Sequence, residues 1–294
     1  MSDNDEDTII GDDQKIAIAR KLMLQSPPGE MLQVASDVRV LLGNDELINS
    51  IALDVFREYN VDQMVAIALP EASGQVLVTA VGEVDTDQYL DPRTSVVMTV
   101  DQIHQKCLEV RPADEHENTP ASLKEYRDVL DLEVTSYVEK SYPGAVHAVY
   151  GSDKGSKVVT LCIVNTEFSP KNFRNGRWRS VWTATLNQEE TEWELEGNIK
   201  VLVHYYEEGN VQLNTVHSHH TKIPVQGVDA DVGDIIKTIK KVEKAFVMDI
   251  EHHFSTLSET SFKELRRTLP LTRTKFQWAN QQHSLASELR RSKA

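Results

Sequence analysis

The sequence predicts an α+β protein: an N-terminal antiparallel helical bundle, a small irregular middle region, an antiparallel β-sheet covered by a long C-terminal helix, and an amphipathic C-terminal tail. Three observations carry that prediction. Apolar residues recur at three- and four-residue spacing across residues 13–60. Strand-like segments separated by short turns follow one another through residues 143–220. A long apolar stripe of helical period then runs from Asp231 to Thr256.

Taken in order, residues 1–12 are acidic and polar and read as disordered. The bundle occupies 13–60. Its first helix carries Ile16, Ile18, Ala19, Leu22 and Met23 and stops at Ser26-Pro27-Pro28-Gly29. The second repeats Met31, Val34, Ala35, Val38, Leu41 and Leu42, and Gly43-Asn44-Asp45 ends it. The third carries Leu47, Ile48, Ile51, Ala52, Val55, Phe56 and Tyr59. None of the three can bury its stripe alone, so they should pack on one another.

Residues 61–110 read as a small β/turn region with strands at Met64 to Leu69, Gln75 to Thr79 and Ser95 to Val100. Residues 111–142 read as a polar link (Val110 to Pro120) and a helix from Ala121 to Ser141. The sheet at 143–220 has five strands: Val146 to Tyr150, Lys157 to Asn165, Arg177 to Leu186, Trp193 to His204 and Val211 to His217. Trp178, Val181 and Trp182 do not alternate strictly, which predicts a bulge or an edge position for the third strand. Gly176 is assigned to the turn before that strand and Gly209 to the turn after the fourth. Trp178, Trp182, Tyr205 and Tyr206 read as packing residues of the sheet. Residues 221–270 hold the long helix and a second helical piece, Ser258 to Leu269, and 271–294 form the tail.

The charge is uneven. The 294-residue chain has a net charge of -15, yet Ser261 to Ala294 hold eight Lys or Arg and two Glu. A basic end on an acidic body points to an acidic protein or an anionic lipid headgroup as partner, and argues against nucleic acid. No run of apolar residues is long enough to span a membrane. The acidic start lacks the character of a signal peptide, so the expected compartment is the cytoplasm. The two cysteines, Cys107 and Cys162, read as free thiols.

No nucleotide-binding, metalloprotease or nucleophile-elbow motif occurs, and the scattered carboxylates single out no acid–base pair. His217, His219, His220 and the pair His252-His253 lack ligand partners at metal spacing and read as exposed turn and helix residues. The sequence therefore predicts no enzyme, no cofactor and no metal.

Four segments carry a family likeness: Ser26-Pro27-Pro28-Gly29-Glu30 with Asp37-Val38-Arg39; the run Asn172 to Trp182; the run Val203 to Leu213; and Phe262 to Lys275 with Trp278 after it. In order and spacing they resemble the alpha subunits of the heterodimeric actin-capping proteins, from about Lys15 to Trp278. The resemblance implies an obligate partner, the beta subunit, with the two sheets joined about a pseudo-two-fold axis. It also implies a mobile tail and calcium-independent blockage of subunit addition and loss at the barbed end of the actin filament, in the cytoskeleton and cell cortex. It implies further that phosphoinositides and capping-protein regulators inhibit that activity.

Carried over by motif, the actin-binding residues are Lys263, Arg267 and Arg273, with Arg266 and Lys275 beside them. Lys263 and Arg267 are four apart and share a helix face, and guanidinium forks suit the carboxylates of an acidic partner. Trp278, Leu285 and Leu289 are the tail's anchors. The chain departs from the family in the polar stretch after Trp278 and at Arg174, where vertebrate-like members tend to carry an aromatic residue. A scaffold of the same fold that has lost actin binding is the alternative.

Overall fold

The computed structural model describes residues 10–70, 74–207 and 210–257. The chain divides into two compact units, Met1–Lys240 and Lys241–Ala294. The predicted piece Ser258 to Leu269, the tail and Gly209 lie outside the described residues.

In the first unit, α1 (Asp12–Leu24), α2 (Met31–Leu42) and α3 (Asp45–Gln63) form the predicted bundle. Met23, Met31, Val38, Ile48, Val55 and Phe56 meet at its centre. Local chemistry sets the ends. Gly43 takes a left-handed φ of 61° and donates its N–H to Arg39 O at 3.2 Å, closing α2. Asn44 Oδ1 accepts the Glu46 N–H at 2.9 Å and opens α3. Where the prolines break the chain after α1, the Tyr59 hydroxyl donates to Pro27 O at 3.1 Å and ties the link to α3.

The middle region is more regular than predicted. A two-stranded ladder, β1 (Ala66–Ala68) with β2 (Gln75–Leu77), precedes an antiparallel sheet of β3 (Glu83–Asp85), β4 (Gln88–Asp91), β5 (Val96–Asp101) and β6 (Lys106–Pro112). The strand β6 takes up the start of the predicted polar link. It is an edge strand with most of its residues exposed, so it shows no apolar alternation.

Helix α4 (Ala121–Ser141) is followed by a five-stranded antiparallel meander: β7 (Val146–Ser152), β8 (Val158–Ser169), β9 (Arg174–Leu186), β10 (Glu192–Tyr205) and β11 (Val211–Pro224), in sheet order β11-β10-β9-β8-β7. The expected bulge or edge position of the third strand is not found: β9 is the central strand and pairs with both neighbours in unbroken register. Its alternation fails because both faces are covered. Trp182 and Ala184 are buried on one face, and Asn175, Arg177 and Arg179 on the other. Gly176 likewise lies inside β9. The turn before it is a 3-10 turn, Pro170–Asn172, closed by Phe173 at a φ of 53°.

Helix α5 (Val228–Leu257) begins under a tight cap. Asp231 Oδ1 accepts the N–H groups of Gln226 at 2.7 Å and Gly227 at 3.1 Å. Its Oδ2 accepts from Trp193 Nε1 at 3.0 Å and from the Tyr126 hydroxyl at 2.9 Å. Within the first unit, Val232, Ile235, Ile236 and Ile239 of α5 are buried. The fully buried Asp231 carboxylate thus fixes the start of α5 to α4 and to β10.

Candidate functional site

The candidate sites are surfaces able to hold another macromolecule. Two features of the first unit define the principal one: the outer edge of β11, and the polar seam that orients the sheet against the bundle.

The strand β11 runs 14 residues and pairs with β10 from Glu192↔Pro224 to Tyr205↔Val211 without a register shift. Among the described residues no strand pairs with its other side. Val211, Leu213, Thr215, His217, His219 and Thr221 share the face of the sheet that carries Trp193 and the start of α5. Gln212, Asn214, Val216, Ser218, His220 and Lys222 share the opposite face, where Val216 is 55% exposed. Natural edge strands are blunted by charge, proline or bulges. Here the lysine and the proline come only at the end, as Lys222 and Pro224, and Lys222 is held by Glu194 at 3.0 Å.

Beside this edge, the end of the sheet away from the start of α5 leaves Val203, Tyr205 and Val211 exposed. Tyr206 packs on Phe173 and on His204, with centroids 5.9 and 4.8 Å apart. Trp178 packs on Tyr142 at 5.4 Å, and Trp182 is buried.

The seam between sheet and bundle is built from charged groups. Arg179, 5% exposed, donates Nη1 to Asp62 Oδ2 at 2.7 Å and also to the Asp62 carbonyl. Lys200 Nζ reaches Asp62 Oδ1 at 2.8 Å. Burial by itself would raise the Asp62 pKa; Arg179 and Lys200 override it and hold the carboxyl below the usual range. Arg177 donates Nε to Thr166 Oγ1 at 3.1 Å, and burial lowers its pKa. Further along, Glu30 accepts from Asn175 Nδ2 at 2.6 Å and lies 2.7 Å from His204 Nδ1. Sequence reasoning missed this seam. Its only signal is basic side chains at alternate positions of a strand otherwise rich in aromatics.

The predicted actin-binding residues Lys263, Arg266, Arg267, Arg273 and Lys275 and the tail anchors Trp278, Leu285 and Leu289 lie outside the described residues. The histidines are not turn residues as predicted: His217, His219 and His220 lie within β11, and the first two are half-buried on the face opposite His220. A metal-like group, Asp114, His116 and Glu117, brings its ligand atoms within 4.8 Å of one another. Both Glu117 oxygens already accept from Arg111, at 2.7 and 2.8 Å, and those bonds hold Glu117 down to about 2. A cation there would face the guanidinium. A groove of about 740 Å³ between α3 and the sheet carries Arg57, Arg179 and Lys200, balanced by Glu83, Asp62 and Asp54.

No described helix is long and apolar enough to cross a membrane. The family of F-actin capping protein alpha subunits matches residues 19–288. The F-actin-capping protein subunit alpha of Arabidopsis thaliana is 37% identical, over 98% of this chain and 97% of the relative. That of Dictyostelium discoideum is 38% identical over 93% and 97%. The solved structure of a homodimeric actin capping protein alpha subunit from Plasmodium berghei shares the fold, with a TM-score of 0.73 at 22% identity, over 88% of this chain and 98% of that one.

Proposed function

Because this chain belongs to the F-actin capping protein alpha subunit family, a family of filament cappers and not of enzymes, we propose that it is one half of a heterodimer that binds the barbed end of the actin filament. There it blocks subunit addition and loss by occlusion, independently of calcium. Its other half is the capping protein beta subunit, whose sheet continues this one at β11.

The observation that supports the reading most directly is the long, straight, unblunted edge of β11. A solitary protein with such an edge invites uncontrolled pairing, whereas an obligate partner removes the hazard. Apolar side chains left exposed on the bundle, among them Leu32, Val40, Leu41 and Leu53, add to the surface a partner would cover.

Actin contact is assigned to the basic C-terminal segment: Lys263, Arg267 and Arg273, with Arg266 and Lys275 in support and Trp278, Leu285 and Leu289 as apolar anchors. Net +6 between Ser261 and Ala294 suits an acidic filament end. Phosphoinositide headgroups, being anionic, compete for the same cations, and capping-protein regulators act on the dimer. The expected place of action is the cytoplasmic actin cytoskeleton, including the cortex.

The test is co-expression with the beta subunit. A one-to-one complex that binds filaments whose barbed ends alone are free, with calcium or with chelator, supports the reading. A complex that binds only filaments whose pointed ends are free overturns it.

A further inference from the structure

We propose that α5 carries a second contact for the acidic end of the actin filament, a stripe of four lysines, Lys237, Lys240, Lys241 and Lys244, separate from the basic segment that starts at Ser261. It rests on the capping function proposed above.

The first support is placement. The four lysines stand at i, i+3, i+4 and i+7 within the one helix Val228–Leu257, the spacing of a single helix face. That face lies opposite the buried Ile235 and Ile239. Lys237, Lys241 and Lys244 are exposed. Lys240 is half-buried, and its Nζ lies 5.5 Å from the centre of the Tyr137 ring, so it is the least free of the four. Met248, one turn past Lys244 on the helix, is 59% exposed and adds an apolar end to the stripe.

The second is charge. Like charges three and four residues apart on a helix repel. Here Lys237 faces Lys240 and Lys241, and Lys244 faces the same two. From Ile235 to Met248 the one acidic residue is Glu243, which is fully buried. Among the described residues none of the four lysines forms an ion pair. A concentrated, uncompensated positive stripe on a chain of net charge -15 weakens its own helix, and an anionic partner relieves that repulsion.

The third is shape. Lys237 and Lys240 line a groove of about 510 Å³ between α4 and the start of α5, together with the apolar Val129 and Ile236 and the acidic Glu133 and Asp229. A groove of mixed lining receives the protruding side chains of a protein, which meet apolar and charged groups at once. A bilayer presents a broad plane of headgroups and would engage the lysines alone. The groove therefore favours the filament end over a membrane.

The experiment uses the full chain in complex with its beta subunit. Wild type is compared with the triple variant Lys237→Gln, Lys241→Gln and Lys244→Gln, and with the triple reversal of the same residues to glutamate. Both replacements are good helix formers on an exposed face, so the far-ultraviolet spectrum and the elution volume of the complex should not change. Seeded elongation over a range of complex concentrations gives the barbed-end affinity at about 50 and about 200 mM salt. The glutamine variant should bind about ten-fold more weakly at the lower salt, and the glutamate variant more weakly still. The gap between wild type and the glutamine variant should narrow at the higher salt, where screening removes what the lysines contribute. A wild-type complex that arrests elongation with the same affinity as both variants overturns the stripe and leaves capping in place. Unchanged capping with lost binding to phosphoinositide-containing vesicles assigns the lysines to a membrane, and also overturns it. A wild-type complex that does not arrest elongation overturns the capping function itself.

Discussion

Gly197 lies directly across from Trp182 in the β9–β10 ladder, and the indole fills the space a side chain at 197 would need. A Cβ there would stand 2.2 Å from Trp182 Cζ3. The glycine is what lets a fully buried tryptophan lie flat on the centre of the sheet. Gly197→Ala should cost about 1–3 kcal/mol, since neither the ring nor the ladder can give way freely. Thermal unfolding of the complex would read this as a lowered Tm. An unchanged Tm would show that the ring has another place to go.

Asp231 is the second keystone. Four donors converge on it, from Tyr126, Trp193, Gln226 and Gly227. Burial and then the carboxylate's proximity push Tyr126 up to about 12. Asp231→Ala strands the buried Trp193 N–H, leaves the half-buried Tyr126 hydroxyl without this acceptor and removes the cap of α5, and should cost about 3 kcal/mol. Urea unfolding of that variant is the check, with Trp193 fluorescence reporting the local loss.

Acid should loosen the joint between the middle region and α4. His147 sits among Arg93, Asp131 and Thr135. Burial, with Arg93 beside it, pushes the imidazole down from 6.5 to about 4. Between those values the unfolded chain binds a proton that the folded chain refuses, so stability is whole above about 6.5 and declines as pH falls toward about 4. Urea midpoints measured across that window should fall less steeply in His147→Gln than in the wild type. Equal slopes would mean that other groups carry the acid response.

The basic segment gives a functional prediction. Replacing Arg267 and Arg273 together with alanine should weaken barbed-end affinity by about ten-fold or more while the dimer stays intact. Elongation assays over a range of complex concentrations would measure the first and gel filtration the second. Loss of the dimer instead would make these side chains structural.

What could be read ahead of the structure follows from how each element meets water. The helices α1 to α4 bury one apolar stripe each, so periodicity exposes them, and α4 falls where Leu123, Leu130, Val134 and Val138 put it; the strands β7 to β9, buried on both faces, were legible as apolar runs between turns. The strands β3, β4 and β6 were missed because the first two span only three and four residues and the third is exposed along most of its length. The Arg177–Arg179–Asp62 seam was illegible for a different reason. Arginine on a strand reads as solvent-facing, and only the tertiary fold brings Asp62 to it. The actin-binding assignments came from motif likeness, with the basic charge of the segment and the four-residue spacing of Lys263 and Arg267 as the physical signals beside it.

The most direct test is elongation of actin from filament seeds with free barbed ends, in the presence of this chain co-expressed with its beta subunit. The account predicts arrest at nanomolar complex. Normal elongation in the presence of a well-formed dimer would contradict it and favour a scaffold that keeps the fold without the activity.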